Sequence, residues 1–160
     1  DPSMVMRYYG SKQGLFAAAA EFDLHLPDLS RVPAGRLGEA TVGHFLARWE
    51  GEDGGDSLRV LLASSATSAE AAARMQEIFR AQLAPVVAAA GPHGERAAAT
   101  RAGLVATQML GLAMCRYVLR LPPVVALDRA AVVAWLGPVV QRYLAEPEPS
   151  PRRLSEEDEP

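Results

Sequence analysis

The sequence predicts an all-α protein, and three observations support this prediction. Apolar residues recur at spacings of three and four along most of the 160-residue chain, which is the period of a helix with one buried face. Gly- and Pro-rich breaks separate these stretches. No stretch has the two-residue alternation of a half-buried strand, and no internal repeat is present. The chain is long enough for one sizeable core, and its 49% apolar and 22% charged residues are typical of a globular protein.

Residues 1–16 predict a short helix, a sharp turn and the start of a second helix. Asp1 is a favourable N-cap, and Pro2 occupies the first helical position, where its missing N–H costs nothing. Gly10 can adopt the left-handed conformation that ends a helix, and Ser11 can cap the next one. The side chains opposite the apolar face of the first helix are Ser3, Met4, Arg7 and Tyr8. A short helix of this kind, fixed to a capped helix, is suited to insertion into a DNA groove.

Residues 9–16, with the sequence YGSKQGLF, closely resemble the end of the helix-turn-helix in the TetR family of transcriptional regulators. In that family the recognition helix leads into an aromatic residue, Gly or Pro, Ser or Asn, then Lys, an apolar pair and a long helix. Tyr9 stands where most members have Phe. The resemblance covers roughly residues 1–20 directly and the rest by architecture alone. It implies that residues 1–26 are the end of the DNA-binding head, whose two preceding helices are expected upstream of Asp1.

The resemblance and the side-chain chemistry together predict which residues contact DNA. Arg7 would bind a guanine or a phosphate, and Tyr8 would bind a phosphate oxygen. Met6 stands where the family usually has an aromatic residue that contacts phosphate. Lys12 is in the first turn of its helix, where a cation and backbone N–H groups can hold one phosphate together. The predicted DNA-binding residues are Ser3, Met4, Met6, Arg7, Tyr8 and Lys12.

Further helices are predicted in order along the chain. The helix that begins at Ser11 should run to residue 23 or 26 and end before Pro27. In the resembled family this helix connects the DNA-reading head to the body, and its displacement is the usual switch. After a loop at residues 27–35, helices are predicted over residues 36–50, 57–67 and 69–90. Ser68 should cap the last of these, and Pro85 should kink it.

The final two predicted helices span residues 95–120 and 129–145. The first is apolar nearly all round between residues 102 and 115, so it must be covered on two sides. Small residues at positions 103, 107 and 111 would let another helix approach it closely. Asp128 should cap the second helix. Residues 27–145 would thus form one helical body, and the Pro-rich, acidic residues 146–160 are expected to be disordered.

Two sets of residues in this body are candidates for binding. Large apolar side chains of the middle helices could line a ligand cavity with one polar contact, although simple core packing explains the same pattern. These residues are Phe45, Trp49, Met75, Phe79, Gln108 and Met109. The last two helices of two subunits could form a four-helix dimer interface, as in the resembled family. Its residues would be Gly103, Thr107, Gly111, Val132, Leu136 and Val139.

Composition and motifs argue against several other classes of protein. The net charge is −3, but residues 146–160 hold six acidic and two basic residues, which leaves 14 basic and 13 acidic residues before them. This near-neutrality is unlike a DNA-coating protein and compatible with a sequence-specific regulator. The single cysteine, Cys115, fits a reducing cytoplasm. Because the motifs of common enzymes and metal sites are absent, we predict no catalytic site, metal or cofactor. No apolar run is long enough to span a membrane.

The predicted function is a ligand-responsive, DNA-binding transcriptional regulator that acts as a cytoplasmic repressor. A homodimer would place two recognition helices on a roughly palindromic operator. As the resemblance implies, a small-molecule effector would shift the spacing of the two heads. Two alternatives are a helical protein–protein interaction module, which uses the apolar surface of residues 102–119 and reads no DNA, and a small-molecule enzyme on a helical scaffold.

Overall fold

The computed structural model describes residues 11, 14, 23–51, 55–91 and 93–150. Within these ranges the regular structure is entirely helical, which confirms the predicted all-α class. The α-helices are α1 (Leu37–Glu50), α2 (Gly55–Ser64), α3 (Ala69–Ile78), α4 (Ala84–Ala89), α5 (Glu95–Ala113), α6 (Pro122–Val125) and α7 (Arg129–Ala145). Short 3₁₀ turns at Leu29–Arg31 and Ala34–Arg36 precede α1, and π-helical turns at Phe79–Leu83 and Met114–Val118 follow α3 and α5.

Several helices begin at the cap residues that the sequence predicts. The side chains of Ser68 and Asp128 each accept a hydrogen bond from the backbone N–H three residues further on, and these residues cap α3 and α7. Ser11 makes the same arrangement, since its Oγ accepts a hydrogen bond from the Gly14 N–H at 3.0 Å. These local signals therefore determine where the helices begin.

Two predicted helices differ in detail from the structure. The helix predicted from Ser11 does not reach residue 26, because residues 23–28 are non-helical. The helix predicted over residues 69–90 continues to Ala89, and its predicted irregularity near Pro85 is a π-helical turn, Phe79–Leu83, between α3 and α4. Proline donates no backbone hydrogen bond and its ring clashes with the carbonyl four residues earlier, so the preceding turn widens. Of the expected tail, residues 146–150 are described, and they are non-helical.

Two clusters of buried side chains form the core. The larger cluster joins α1, α4, α5 and α7, and the smaller joins the end of α1 to α2 and α3. Buried members of the larger cluster include Val42, Leu46, Val87, Val105, Val132 and Val140. Trp49 and Leu58 belong to the smaller cluster. Because α5 contributes residues to both clusters, it connects the two halves of the body.

The most extensive contact between described helices is that of α1 with α7. A Cβ atom on Gly38 would lie 2.0 Å from the Gly137 carbonyl oxygen, so this close crossing requires glycine on α1. Gln141 fastens the contact, since its Oε1 accepts a hydrogen bond from the Gly38 N–H at 2.8 Å and its Nε2 donates to the Ala34 carbonyl at 2.6 Å. The position of α7 is therefore fixed by α1.

Helix α5 is buried on one side only. Ala102, Val105 and Met109 are at most 5% exposed, whereas Leu104 is 40% exposed and Gly111 is also exposed. The second cover predicted for this helix is therefore not supplied by the described part of the chain. Although α5 is rich in apolar residues, neither it nor any other described helix is long and apolar enough to span a lipid bilayer.

Candidate functional site

The predicted DNA-binding residues lie outside the residues that the structure describes. They are Ser3, Met4, Met6, Arg7, Tyr8 and Lys12. Their contacts with DNA therefore stay a prediction. In the helical body, by contrast, the side chains around a cavity and along an exposed helix face can be placed atom by atom.

An apolar cavity of about 100 Å³ lies between α1, α2, α3 and α5. Five of the six residues predicted for a ligand pocket line it, namely Phe45, Trp49, Met75, Phe79 and Met109. The helical repeat brings them together, because Phe45 and Trp49 are one turn apart on α1. Their rings are in contact, with centroids 5.2 Å apart. Whether this cavity binds a ligand is a separate question, since an apolar wall alone is equally consistent with a packed core.

The sixth predicted pocket residue, Gln108, is not among the residues that line this cavity. Its Nε2 donates a hydrogen bond to the Tyr143 hydroxyl at 3.3 Å, on the side of α5 that faces α7. One residue along an α-helix is a rotation of about 100°, so Gln108 and its cavity-lining neighbour Met109 cannot point the same way. Arg101, two turns earlier, also bonds to Tyr143, through the backbone carbonyl at 2.6 Å. This seven-residue spacing is the signal that could have placed Gln108 against α7.

The non-helical residues 23–26 form part of the cavity wall, through Leu24 and Leu26. Three polar side chains hold this segment in place. His44 Nε2 donates a hydrogen bond to the Leu24 carbonyl at 2.7 Å, and Arg48 Nη2 donates one to the Asp23 carbonyl at 2.5 Å. Gln82 Oε1 accepts a hydrogen bond from the Leu24 N–H at 2.7 Å. We call residues 23–26 with these three hydrogen bonds the latch.

The latch is not among the predicted sites, because residues 23–26 were predicted to be the end of a helix. One signal was available in the spacing of the polar residues on α1. His44 and Arg48 are four residues apart, so they share a face of α1, and each immediately precedes a cavity aromatic. Half-buried polar residues beside an apolar wall must find partners. Here the partners are backbone carbonyl groups of an irregular segment.

A cluster of charged residues lies next to the cavity, at the carboxyl end of α1. Trp49 lines the cavity, and its indole stacks on the Tyr117 ring with centroids 5.7 Å apart and planes 9° from parallel. The Tyr117 hydroxyl donates a hydrogen bond to Glu50 Oε1 at 2.9 Å. Arg116 Nε donates to the same oxygen at 3.0 Å, and Arg129 Nε donates to Oε2 at 2.6 Å. The end of α1 is thereby joined to the second π-helical turn and to the start of α7.

These contacts change the titration of Glu50 and Tyr117. Partial burial opposes ionisation of Glu50, but the hydrogen bonds from Arg129, Tyr117 and Arg116 outweigh it, so the pKa of the carboxyl is lowered. Burial and the neighbouring Glu50 carboxylate raise the pKa of the Tyr117 phenol, which therefore stays a hydrogen-bond donor. A carboxylate at a helix carboxyl end is unfavourable to the helix dipole, so Glu50 in the sequence could have signalled nearby cations.

An exposed surface runs along α5 and α7. It includes Leu104, Thr107, Gly111, Trp135 and Leu136, and we call it the α5–α7 face. Trp135 is 73% exposed, and a groove beside it is bordered by Thr107 and Gly111. No atom of the described chain lies within 4 Å of a Cβ built on Gly103 or Gly111, so the small-residue stripe is open within the subunit. The sequence analysis missed Trp135, although it is the most exposed large apolar residue of the described chain.

The residues predicted for the dimer interface divide into two groups. Gly103, Thr107 and Gly111 lie on the open side of α5, and Leu136 and Val139 are half-buried on α7. Val132 is only 1% exposed and belongs to the larger core cluster, and it also borders the groove beside Trp135, so its part in an interface stays a prediction. Because α7 packs on α1, the apolar residues of its inner side are used within the subunit. Both sides of α7 are apolar, so sequence alone could not tell them apart.

The described residues offer little for metal or covalent chemistry. Within them, no three His, Cys, Asp or Glu side chains are grouped so that they could hold a metal ion. Cys115 has a free, half-buried thiol, and it borders the groove on the α5–α7 face rather than the cavity. The described part of the chain therefore has an apolar cavity and, outside it, an exposed apolar surface.

Comparison with known proteins identifies the family. Residues 35–144 match the family model described as the tetracyclin repressor-like, C-terminal domain. The chain is also similar to the crystal structure of a TetR-family regulator from Streptomyces coelicolor A3, with 27% sequence identity, a TM-score of 0.50, and coverage of 90% of this chain and 76% of that chain. A search of curated proteins found no match. Since the family model spans more than half of the chain, the protein belongs to the TetR family of DNA-binding transcriptional regulators.

Proposed function

We propose that this regulator is a ligand-responsive repressor that binds a palindromic operator as a homodimer. One observation carries the ligand response: Leu24 and Leu26, which follow the predicted DNA-reading region, form part of the cavity wall. A molecule in the cavity must therefore contact the segment that leads to that region. Membership of the TetR family supports the DNA-binding part of the proposal.

The latch provides a physical basis for two states. Without an effector, its three hydrogen bonds hold residues 23–26 against the body. An effector that packs better when residues 23–26 have moved away would favour that second position of the segment. The effector shifts the equilibrium between the two positions only by the difference in its affinity for them. We propose that this second position changes the separation of the two DNA-reading heads, so that they no longer match adjacent half-sites and the operator is released.

The homodimer is supported by the α5–α7 face. Trp135 and Leu104 present large apolar side chains to solvent, and the open stripe at Gly111 allows a second helix to approach. A face of this kind is self-complementary when two copies are related by a two-fold axis. Such a dimer carries two reading heads, which explains why the operator should be a palindrome.

We propose binding rather than catalysis at the cavity, because its polar side chains are committed to backbone groups. A general base must reach the proton that it removes. The one histidine among the lining residues, His44, already bonds to the Leu24 carbonyl. Thr41 donates its hydroxyl hydrogen to the Leu37 carbonyl at 2.8 Å. These bonds hold both side chains in the wall, and we propose that they position the wall rather than react with a bound molecule.

The proposal is tested by selecting binding sites from a random duplex library with the full-length protein. We expect the selected DNA to contain an inverted repeat, and gel shift to show one dimer per site. The same complex then serves for an effector screen, in which an active compound releases the DNA. Selected sites without two-fold symmetry, or DNA bound by one subunit, would overturn the dimeric reading. If every compound that binds in the cavity leaves the operator complex intact at saturation, the repressor mechanism is overturned.

A further inference from the structure

We infer that the cavity takes a compact, neutral, apolar effector with the size of a single aromatic ring. This inference rests on the proposed function and specifies the chemical class of its ligand. The first argument is size. The cavity volume is about 100 Å³, whereas sites for drug-sized ligands have roughly 300–1,000 Å³. Cavities of roughly 150 Å³ with aliphatic and aromatic walls bind benzene.

The second argument is the shape of the wall. Phe45 and Trp49 supply two aromatic side chains from α1, and Met75 and Met109 supply flexible thioether side chains. Methionine side chains adapt to irregular volumes and make favourable contacts with aromatic rings. A small shift of the two methionines can therefore enlarge the space for a flat ring, which would pack against the aromatic pair.

Few polar side chains line the cavity in the described part of the chain. They are Thr41, His44 and Arg48, and each donates a hydrogen bond to a backbone carbonyl. The other described lining residues are apolar, so a polar group on the ligand would lose its hydrogen bonds with water and could regain only those that these three side chains supply. A cationic group would in addition lose its hydration beside the Arg48 guanidinium. The wall therefore favours a neutral, apolar molecule, and an anion bound by Arg48 is the alternative that the probes below test.

Binding is tested directly with three probes that share one benzene ring and differ in their charged group: toluene, which is neutral, benzoate, which is an anion, and benzylamine, which is a cation. The protein carries ¹³C-methyl methionine, and NMR follows the Met75 and Met109 methyl signals, with Met114 as an internal reference outside the cavity lining. We expect saturable shifts of Met75 and Met109 with toluene and none with the two ions. Equal binding of benzoate would show that Arg48 reads an anion and would overturn the inference, and so would the absence of toluene binding.

A cavity-filling variant locates the bound probe. Ala106 lines the cavity, so Ala106→Phe should weaken toluene binding by about tenfold or more. Ala88→Phe on the exposed side of α4 is the matched control and should leave binding unchanged. If Ala106→Phe does not fold, Ala106→Leu tests the same space with a smaller side chain. Unchanged affinity in a folded variant at residue 106 would overturn the location.

The ligand class and the proposed function fail in different ways. Toluene that shifts the cavity methyl signals but leaves the operator complex intact would support the apolar class and remove the proposed repressor mechanism. Operator release by a charged compound, with no toluene binding, would keep the ligand response and overturn the apolar class. Measuring methyl shifts and gel shift on the same protein separates the two results.

Discussion

At the residue scale, Glu50 and Arg116 are the centre of a network of polar contacts. Its two carboxylate oxygens accept hydrogen bonds from Tyr117, Arg116 and Arg129, which belong to two other elements. Arg116 also donates to the carbonyls of Val124 and Leu127, each at 2.8 Å. The Arg116 side chain is only 12% exposed, so the loss of its carboxylate partner would leave a poorly solvated cation.

We expect Glu50→Gln to lower the free energy of unfolding by about 1.5–3 kcal/mol at neutral pH, because an amide cannot pair with two guanidinium groups. The folded pKa of Glu50 is below its unfolded value. The contribution of the carboxylate is therefore fully present above the unfolded value and is lost as the pH falls through the folded value. The difference between the two proteins should shrink with falling pH, which urea denaturation at a series of pH values measures.

The matched control for this variant is Glu77→Gln. Glu77 pairs with Arg80 on the surface, where both side chains are largely solvated. Exposed pairs of this kind contribute little to stability. Equal losses of stability in the Glu50 and Glu77 variants would contradict the role assigned to the buried cluster.

The latch gives a second prediction at the residue scale. His44→Ala removes the hydrogen bond to the Leu24 carbonyl, which contributes about 1 kcal/mol. Because the segment then opens more readily, the substitution should speed hydrogen exchange of the Leu24 amide by about fivefold. His93→Ala is the matched control, since His93 also bonds to a backbone carbonyl, that of Leu144. NMR-detected exchange compares the variants. Equal protection of Leu24 in both variants would show that His44 does not hold the segment.

At the element scale, α5 links the cavity to the α5–α7 face. Met109 and Leu110 line the cavity, and Gly111 faces outward at the groove. The two surfaces are therefore separated by the width of one helix. A change in packing on the cavity side has a short path to the outer side, because α5 is rigid and continuous between Glu95 and Ala113.

The dimer is tested on this helix with Gly111→Arg. A Cβ at residue 111 meets nothing within the subunit, so the substitution should leave the fold intact. It should nevertheless convert the dimer to a monomer in sedimentation velocity and abolish operator binding, because two half-sites are needed. Val139→Asp should act similarly, although Val139 is half-buried and its own packing would change.

The control for the dimer test is Ala73→Arg, which adds the same side chain at an exposed position of α3. This variant should remain a dimer. A wild-type protein that sediments as a monomer would overturn both the interface and the proposed mechanism.

The element scale also shows how far sequence can predict this protein. Caps such as Ser68 and Asp128 and the 3.6-residue period give the order and approximate limits of the helices, because these signals are local. The non-helical residues 23–26 are not visible in the period, since they depend on tertiary partners such as Gln82. An irregularity near Pro85 was predicted from the proline, but its π-helical form was not. The side of a helix on which a residue lies is hardest to predict where the helix is apolar on more than one face: Gln108 contacts α7 and does not line the cavity, and Val132 is buried in the core.

At the scale of the whole molecule, the function depends on the DNA-reading residues, which lie outside the described part of the chain. Arg7→Ala should cost about 1–3 kcal/mol of operator binding and relax the preference at one base pair. Lys12→Ala should weaken binding to all sequences. It should also reduce by about one the slope of the logarithm of the binding constant against the logarithm of the salt concentration. Arg31→Ala is the control, because Arg31 is an exposed residue of the body that pairs with Asp28.

Binding measured by fluorescence anisotropy at several salt concentrations separates these effects. Wild-type affinity in both the Arg7 and the Lys12 variants would contradict the assignment of the recognition helix. An equal loss in the Arg31 variant would show that the effect is general electrostatics rather than groove recognition.

The two tryptophans of the chain occupy contrasting environments. Trp49 is 3% exposed and lines the cavity, whereas Trp135 is 73% exposed on the α5–α7 face. The protein therefore contains two intrinsic optical probes, one for each proposed event. Iodide should quench the fluorescence of Trp135 in the monomer and should no longer reach this side chain in the dimer. The fluorescence of Trp49 should change only when an aromatic ligand binds in the cavity. Single-tryptophan variants, Trp49→Phe and Trp135→Phe, would let one titration report assembly and the other report occupancy of the cavity.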